Sequence, residues 1–173
     1  MRRPVDAGRV RDFMRALGQE ADRESRVYFT GGATAVLYGW RASTVDLDIK
    51  IVPDDDRILR AIPGLKESLQ VNVELASPDA FIPELPGWEN RSPLIAREGK
   101  ISFHHYDLYA QALAKIERGH DRDLEDVKAM LDRGLVERTF LLMYFREIEP
   151  ALYRYPAIDP GTFRAAVERT ARG

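Results

Sequence analysis

Two aspartates, Asp46 and Asp48, stand two residues apart in the segment TVDLDIKIV, in which apolar and polar residues alternate. This alternation predicts a strand with a buried face, starting at Val45, and a polar face that carries both carboxylates. The carboxylates would lie about 6–7 Å apart along the strand. They would repel each other unless a cation lay between them. The pair is therefore a candidate site for a hard divalent cation such as Mg²⁺ or Mn²⁺.

A glycine pair, Gly31-Gly32, precedes the acidic strand. It follows the apolar run Val27-Tyr28-Phe29, which predicts a strand, and it opens a helix predicted over residues 33–38, with Gly39 as its terminator. Glycines let a phosphate approach the backbone, and a helix N-terminus offers N–H groups that have no partner within the helix. The pair is thus a candidate phosphate site, with a simple tight turn as the alternative.

A third acid follows on a strand predicted over residues 71–76, where Leu75 is expected to face inward with the valines. Glu74, on the polar side, is a candidate metal ligand or a base that activates an attacking hydroxyl. Asp79 is the alternative third acid. We prefer Glu74 because it lies on the alternating strand.

The elements that must position these residues follow from the periodicity of the rest of the chain. Asp54 or Asp55 is expected to cap a helix that runs to about Leu69 and is interrupted at Pro63-Gly64, and Asp121 is expected to cap a later one. Further helices are predicted over about 5–20, 107–118, 121–133 and 137–149 and after residue 160, with two short strands at 94–96 and 101–103. This order predicts an α/β (α+β) fold in one compact unit: a small mixed sheet with flanking helices over residues 1–106, and a helical subdomain over 107–173.

Composition narrows the kinds of site the chain can hold. It has 173 residues and no cysteine, which excludes disulfides and cysteine-based zinc sites, and its three histidines are too few for a histidine-rich metal site. The net charge of -2 gives no broad nucleic-acid footprint. No apolar stretch approaches the ~20 residues of a membrane helix, and none follows the first arginines, so we expect a cytoplasmic protein without a signal peptide.

Residues 28–50, YFTGGATAVLYGWRASTVDLDIK, resemble the signature of the nucleotidyltransferase superfamily, which has the polymerase-beta-like fold. That signature is a Gly-Gly or Gly-Ser turn opening a helix, a strand bearing DxD, and an acid on a later strand. With Gly39, Arg41 and Thr44 leading into DLD, the segment is similar to the bacterial AbiEii/MenT-like branch and its relatives. Many of these are toxins of toxin–antitoxin pairs. Farther along, Lys115 and the segment Arg122-Asp123-Leu124 followed by Asp126 resemble the K…RD-x-x-D pattern of the same branch.

The resemblance implies a role for each matching residue. The triphosphate would be held by the glycine turn, with further contacts or support from the polar residues around it: Thr30, Gly31, Gly32, Arg41, Thr44 and Lys115. The Mg²⁺ (or Mn²⁺) would be bound by Asp46 and Asp48, with Glu74 as the third acid. Where many members have Gly-Ser, this chain has Gly-Gly, and Thr30 or Thr34 would supply the missing hydroxyl.

In the second half, the implied residues are Arg122, Asp123 and Asp126, which would support Lys115. Asp123 and Asp126 are three apart, on one face of a predicted helix. We expect them to pair with Lys115, Arg118 or Arg122 and to orient the lysine, rather than to bind a metal.

The function that the resemblance implies is metal-dependent transfer of a nucleoside monophosphate from an NTP to RNA, tRNA or protein. It also implies a toxin role, with an antitoxin protein as partner. One alternative is a small-molecule nucleotidyltransferase that modifies antibiotics. Another is a non-catalytic nucleotide-binding or interaction module with the same fold. The last is a structural α/β domain whose acidic strand is coincidental.

Overall fold

The computed structural model describes residues 2–173 and contains seven α-helices and five β-strands there. The helices are α1 (Ala7–Glu20), α2 (Gly32–Tyr38), α3 (Asp56–Leu69), α4 (Leu108–Arg118), α5 (Asp121–Asp132), α6 (Arg138–Ile148) and α7 (Pro160–Arg172). The strands are β1 (Ser25–Thr30), β2 (Asp46–Val52), β3 (Asn72–Leu75), β4 (Leu94–Glu98) and β5 (Ile101–His105), and short 3-10 helices cover Pro78–Ala80 and Glu149–Arg154. The predicted mixed α/β fold is confirmed.

The described residues form two compact units. The first comprises residues up to 77 and Ser92–Tyr106, and the second comprises Pro78–Arg91 and Asp107–Gly173. The first unit therefore contains all five strands with α1, α2 and α3, and the second contains α4 to α7. This division separates Tyr106 from Asp107, which is also where the predicted boundary lies. Residues 78–91, which the prediction places in the first domain, belong to the second unit.

The five strands form one mixed sheet with the order β3-β2-β1-β5-β4. β1 pairs antiparallel with β2 and parallel with β5, while β2 pairs parallel with β3 and β4 pairs antiparallel with β5. The carboxyl-terminal ends of β1 and β5 therefore meet the amino-terminal ends of β2 and β3. Every candidate site residue on these strands lies at that end of the sheet.

One face of the sheet is apolar, because alternate residues of every central strand turn towards the same helices. This face carries Val27, Phe29, Leu47, Ile49, Ile51, Val73, Ile101 and Phe103, which form one buried cluster with Val10, Phe13, Met14 and Leu17 of α1 and with Ile58 and Ile62 of α3. The opposite face carries the polar residues of β2 and β3. Burial of the apolar face thus fixes which way Asp46 and Asp48 point.

Two apolar residues expected on the buried face are exposed. Val45 is 65% exposed because it precedes the first residue of β2, at a point where only an isolated bridge between Val5 and Thr44 pairs the backbone. Leu75 is 62% exposed because it ends β3, which lies at the edge of the sheet and has a neighbour on one side only. The alternating pattern therefore extends one residue beyond the packed part of each strand.

Two predictions about helix boundaries are also wrong. α3 continues through Pro63, because Ile58 and Ile62 anchor it to the core and so offset the ~3 kcal/mol that an internal proline costs. α5 has His120, not Asp121, at its N-cap position. The other expected cap is confirmed, since the Asp55 carboxylate accepts hydrogen bonds from the backbone N–H groups of Arg57 and Ile58.

In the second unit, α4 packs against α5, α6 and α7. The Asp107 carboxylate caps α4 by accepting a hydrogen bond from the backbone N–H of Tyr109, and it also accepts one from the guanidinium of Arg91 at 2.8 Å. The Arg91 guanidinium lies 4.2 Å from the ring centroid of Tyr144 on α6. Among residues 2–173, no helix has the length and apolar character needed to cross a membrane.

Candidate functional site

Three candidate residues lie side by side on adjacent strands. Thr30, the last residue of β1, is in register with Asp48 on β2, and Asp48 is in register with Glu74 on β3. Residues in register on neighbouring strands project from the same face, with about 4.8 Å between strands. Asp46, two residues before Asp48 on β2, is in register with Asn72 on β3. The sheet thus brings Asp46, Asp48 and Glu74 onto one polar face, as predicted.

The glycine turn lies against this acidic face. Gly31 has φ +63° and ψ -128°, a conformation that side chains rarely adopt, and a Cβ placed on it would lie 3.2 Å from Asp48 Oδ2. The absence of a side chain at Gly31 therefore keeps the space beside the Asp48 carboxylate open. α2 has only seven residues, so the turn's backbone N–H groups matter more here than the helix dipole.

Gly32 is required for a different reason. A Cβ on Gly32 would lie 2.0 Å from Thr44 Oγ1 and 2.7 Å from Thr44 Cβ. The Thr44 hydroxyl in turn donates to the backbone carbonyl of Asp46 at 3.2 Å. Thr44 therefore links the glycine turn to the start of the acidic strand.

Asn72 belongs to the site, although we did not select it from the sequence. Its Nδ2 donates to Asp46 Oδ1 at 2.5 Å and to Glu74 Oε1 at 3.3 Å. The signal was present in the sequence, since Asn72 alternates with buried valines on the strand that carries Glu74. What the sequence could not show is that β3 pairs with β2 in the register that places Asn72 beside Asp46.

A hard divalent cation fits these residues by chemistry. Asp46 and Asp48 are half-buried and offer carboxylate oxygens, which Mg²⁺ and Mn²⁺ prefer, next to the space that Gly31 leaves open. Across the described residues, no three Asp, Glu, His or Cys side chains are already gathered as a metal site. Mg²⁺ commonly binds through one or two carboxylates together with waters and substrate phosphates, so two aspartates beside a phosphate-binding turn suffice.

Behind the glycine turn, a buried polar contact holds α2 against β5. The Thr34 hydroxyl and His105 Nδ1 lie 3.0 Å apart, and the Tyr38 ring stacks on the His105 ring at 4.4 Å and on Trp40 at 5.8 Å. Burial, with a smaller contribution from the neighbouring His104, lowers the pKa of His105 from 6.5 to about 4. His105 is therefore neutral at pH 7. Since the Thr34 hydroxyl is engaged in this contact, Thr30 is the better candidate for the hydroxyl that Gly-Ser members carry.

Lys115 lies in the second unit and is buried in a charge cluster. Its Nζ donates to Asp126 Oδ2 at 2.8 Å and lies 3.6 Å from Asp123 Oδ1, which also accepts from Arg118 at 2.8 Å. The predicted pairing of these aspartates with nearby cations is confirmed, since both contact Lys115 and Asp123 also pairs with Arg118. Arg122 is exposed on α5. Contact between Lys115 and a nucleotide phosphate stays a prediction.

Two other candidates, Arg41 and Asp79, lie outside the strands of the sheet. Arg41 follows the C-terminal end of α2, where its backbone N–H donates to the carbonyl of Ala35 at 3.3 Å. Asp79 lies in the second unit, in the 3-10 helix Pro78–Ala80, and its backbone carbonyl accepts a hydrogen bond from the hydroxyl of Tyr155. Glu74, by contrast, is in register with Asp48 in the same sheet. The assignment of Glu74 as the third acid, with Asp79 as the alternative, stays a prediction.

A glycine turn that opens a helix, beside an acidic strand and a third acid on the next strand, is the arrangement of the nucleotidyltransferase superfamily that the sequence resembles. Comparison with models of protein families gives a match over residues 8–142. The chain belongs to the family described as nucleotidyltransferase of unknown function (DUF6036). Neither the curated proteins nor the solved structures contain a significant match. The family match supports the superfamily and does not extend to the AbiEii/MenT-like branch, which stays a prediction.

Proposed function

We propose that this protein transfers a nucleoside monophosphate from an NTP to an acceptor hydroxyl, with Mg²⁺ or Mn²⁺ as cofactor. The observation that carries the proposal is the row Thr30, Asp48 and Glu74 on three adjacent strands, with the Gly31 turn open beside Asp48. Membership of a nucleotidyltransferase family supports it.

Each group at the site has a defined task in this reaction. Asp46 and Asp48 would hold the cation, which when bound supplies positive charge to the α-phosphate and to the leaving pyrophosphate. The backbone N–H groups of Gly31 and Gly32 would bind the triphosphate oxygens. Glu74 is exposed at the edge of the sheet, where an acceptor can reach it, and would take the proton of the attacking hydroxyl.

In the proposed reaction, one bond to the α-phosphorus forms and one breaks. The acceptor oxygen forms a bond to the α-phosphorus, while the bond between that phosphorus and the oxygen bridging to the β-phosphate breaks. Pyrophosphate leaves with the electron pair of the broken bond, and the hydroxyl proton passes to Glu74. The products are the nucleotidylated acceptor and pyrophosphate.

We propose RNA, in particular tRNA, or a protein as the acceptor, because the sequence resembles a branch whose members act as toxins. A toxin role would add an antitoxin protein as partner. Both finer proposals are supported only by that resemblance and are tested separately from the chemistry.

In the test, the purified protein is incubated with α-labelled NTPs and Mg²⁺ or Mn²⁺. Parallel reactions contain total RNA, total protein or aminoglycosides as the acceptor. Label transferred to one class identifies the acceptor, and pyrophosphate release should match it. Asp48→Asn should lower the rate by about 100-fold or more, since a lost metal ligand costs several kcal/mol of transition-state stabilisation. Asp54→Asn, at an exposed aspartate just after the same strand, is the matched control and should transfer at the wild-type rate.

Two results would count against the proposal. Full transfer by Asp48→Asn would remove the acidic strand from the mechanism. Binding of NTP and Mg²⁺ with no transfer to any acceptor would instead favour a non-catalytic nucleotide-binding module.

A further inference from the structure

The side-chain amide of Asn72 lies between two carboxylates of the acidic face. Its Nδ2 is 2.5 Å from Asp46 Oδ1 and 3.3 Å from Glu74 Oε1. Ionised carboxylates only accept hydrogen bonds, whereas an amide nitrogen carries two hydrogens, so one Nδ2 can donate to both. The amide therefore joins a carboxylate of β2 to a carboxylate of β3.

The position of Asn72 follows from packing on the other face of the sheet. Val71 and Val73 on either side of it are buried, so the Asn72 side chain must leave the opposite, polar face. The parallel pairing of β3 with β2 then places Asn72 directly beside Asp46. Glu74 lies two residues along the same edge strand and is exposed, so it needs a specific partner to hold one orientation.

Hydrogen bonds of this kind matter to metal ligands. Residues that hold a ligating carboxylate in place typically change metal affinity or activity by 10–100-fold when they are removed. A carboxylate oxygen has two lone pairs, so Asp46 can accept from Asn72 and still bind a cation. The donated hydrogens also reduce the repulsion between the two carboxylates while no cation is bound.

We infer that Asn72 is a positioning residue, whose amide keeps Asp46 and Glu74 close and oriented before the cation and the NTP bind. The inference rests on the proposed function, because that function brings a cation to this site. It follows that the affinity of the protein for a divalent cation, in the absence of any nucleotide, depends on Asn72.

The first experiment titrates Mn²⁺ into the protein without NTP, followed by electron paramagnetic resonance and calorimetry. Asn72→Ala should raise the Kd for Mn²⁺ by about 10-fold or more. Asn90→Ala makes the same change at the chain's other asparagine, which is exposed in the second unit, and should leave the Kd unchanged.

The second experiment uses Asn72→Asp, which keeps the shape of the side chain but adds a fourth carboxylate to the acidic face, next to those of Asp46 and Glu74. Without a cation this variant should unfold at a lower temperature than the wild type, because the carboxylates repel. Added Mn²⁺ should then raise its Tm by more than it raises the wild-type Tm. A residue that mattered only for folding would not give this larger response to the cation.

A third measurement uses transfer activity. The Mg²⁺ concentration for half-maximal rate should rise in Asn72→Ala, and saturating Mg²⁺ should restore most of kcat. An unchanged Kd for Mn²⁺ in Asn72→Ala would overturn the inference and leave the proposed function standing. If Asn72→Ala does not fold, Asn72→Asp decides, since a Tm response no larger than that of the wild type also overturns the inference. Wild-type protein that binds no Mn²⁺ would instead refute the proposed metal-dependent function.

Discussion

The contact between Gly32 and Thr44 gives the sharpest test of how the fold builds the glycine turn. Gly32→Ala would place a Cβ 2.0 Å from Thr44 Oγ1 and 2.7 Å from Thr44 Cβ, closer than real Cβ contacts allow. Thr44 has little room to retreat, because its backbone N–H and carbonyl are both hydrogen-bonded to Val5, at 2.9 and 2.7 Å. The start of α2 must therefore move, and the turn beside Asp48 moves with it.

The expected cost follows from the size of the clash. Overpacking by a methyl group in a well-packed region costs about 1–3 kcal/mol. For a protein of this length, a loss of 1 kcal/mol lowers Tm by about 2–4 °C, so Gly32→Ala should unfold about 2–12 °C below the wild type. NTP affinity should fall as well, because the displaced backbone N–H groups belong to the proposed triphosphate site.

The measurement is thermal unfolding by circular dichroism, with NTP binding by calorimetry in parallel. Gly64→Ala is the matched control: a Cβ there meets nothing within 4 Å, so the same substitution inside α3 should stabilise the protein by about 0.5–1 kcal/mol. In a background of Thr44→Gly, the cost of Gly32→Ala should shrink. A Tm for Gly32→Ala equal to that of the wild type, or no change of its cost in that background, would refute the reasoning.

Three further predictions concern buried charges and caps. Between pH 6.5 and 4 the unfolded chain protonates His105 while the folded protein does not. The free energy of unfolding should therefore decrease by up to about 3 kcal/mol as the pH falls through this range. In urea unfolding at several pH values His105→Gln should reduce this decrease, and an equal decrease in both proteins would contradict the lowered pKa of His105. Lys115→Met leaves buried carboxylates without their ammonium group and should cost about 3–5 kcal/mol in urea unfolding, part of which Asp126→Leu in the same chain should recover. A Lys115→Met protein as stable as the wild type would show that the ion pair does not stabilise the fold. Asp55→Ala removes the N-cap of α3 and should lower the free energy of unfolding by about 0.5–2 kcal/mol in thermal unfolding. Asp54→Ala, at an exposed residue, should leave it unchanged. Equal losses of stability in both variants would indicate an effect of surface charge and not of the cap.

Local chemistry made several elements predictable. The alternation in β2 indicated both the strand and its polar face, and Gly39 ends α2 in the left-handed conformation that glycine favours. The helix α3 shows where such reasoning stops. A proline-glycine pair inside it indicated an interruption, but burial of Ile58 and Ile62 against the sheet outweighed the local preference.

Some residues of the candidate site could likewise be predicted from the sequence, and others could not. Asp46, Asp48, Glu74 and the glycine pair were visible in the sequence, because residue types and a spacing of two on a strand already determine which side chains share a face. The role of Asn72 beside Asp46 was not, since the pairing of β3 with β2 depends on contacts between distant parts of the chain. The buried contact between Thr34 and His105 was hidden for the same reason, as 71 residues separate its partners in the chain.

The sequence by itself determined the order of the elements, the acidic face of β2 and the superfamily, because these depend on periodicity and on a short local signature. Only the tertiary structure decided which residues meet across strands: the row Thr30, Asp48 and Glu74, the amide of Asn72 between two carboxylates, and the fit of Gly32 against Thr44. The physical reason is that register and close packing are set by burial of the apolar face as a whole. No single segment carries that information.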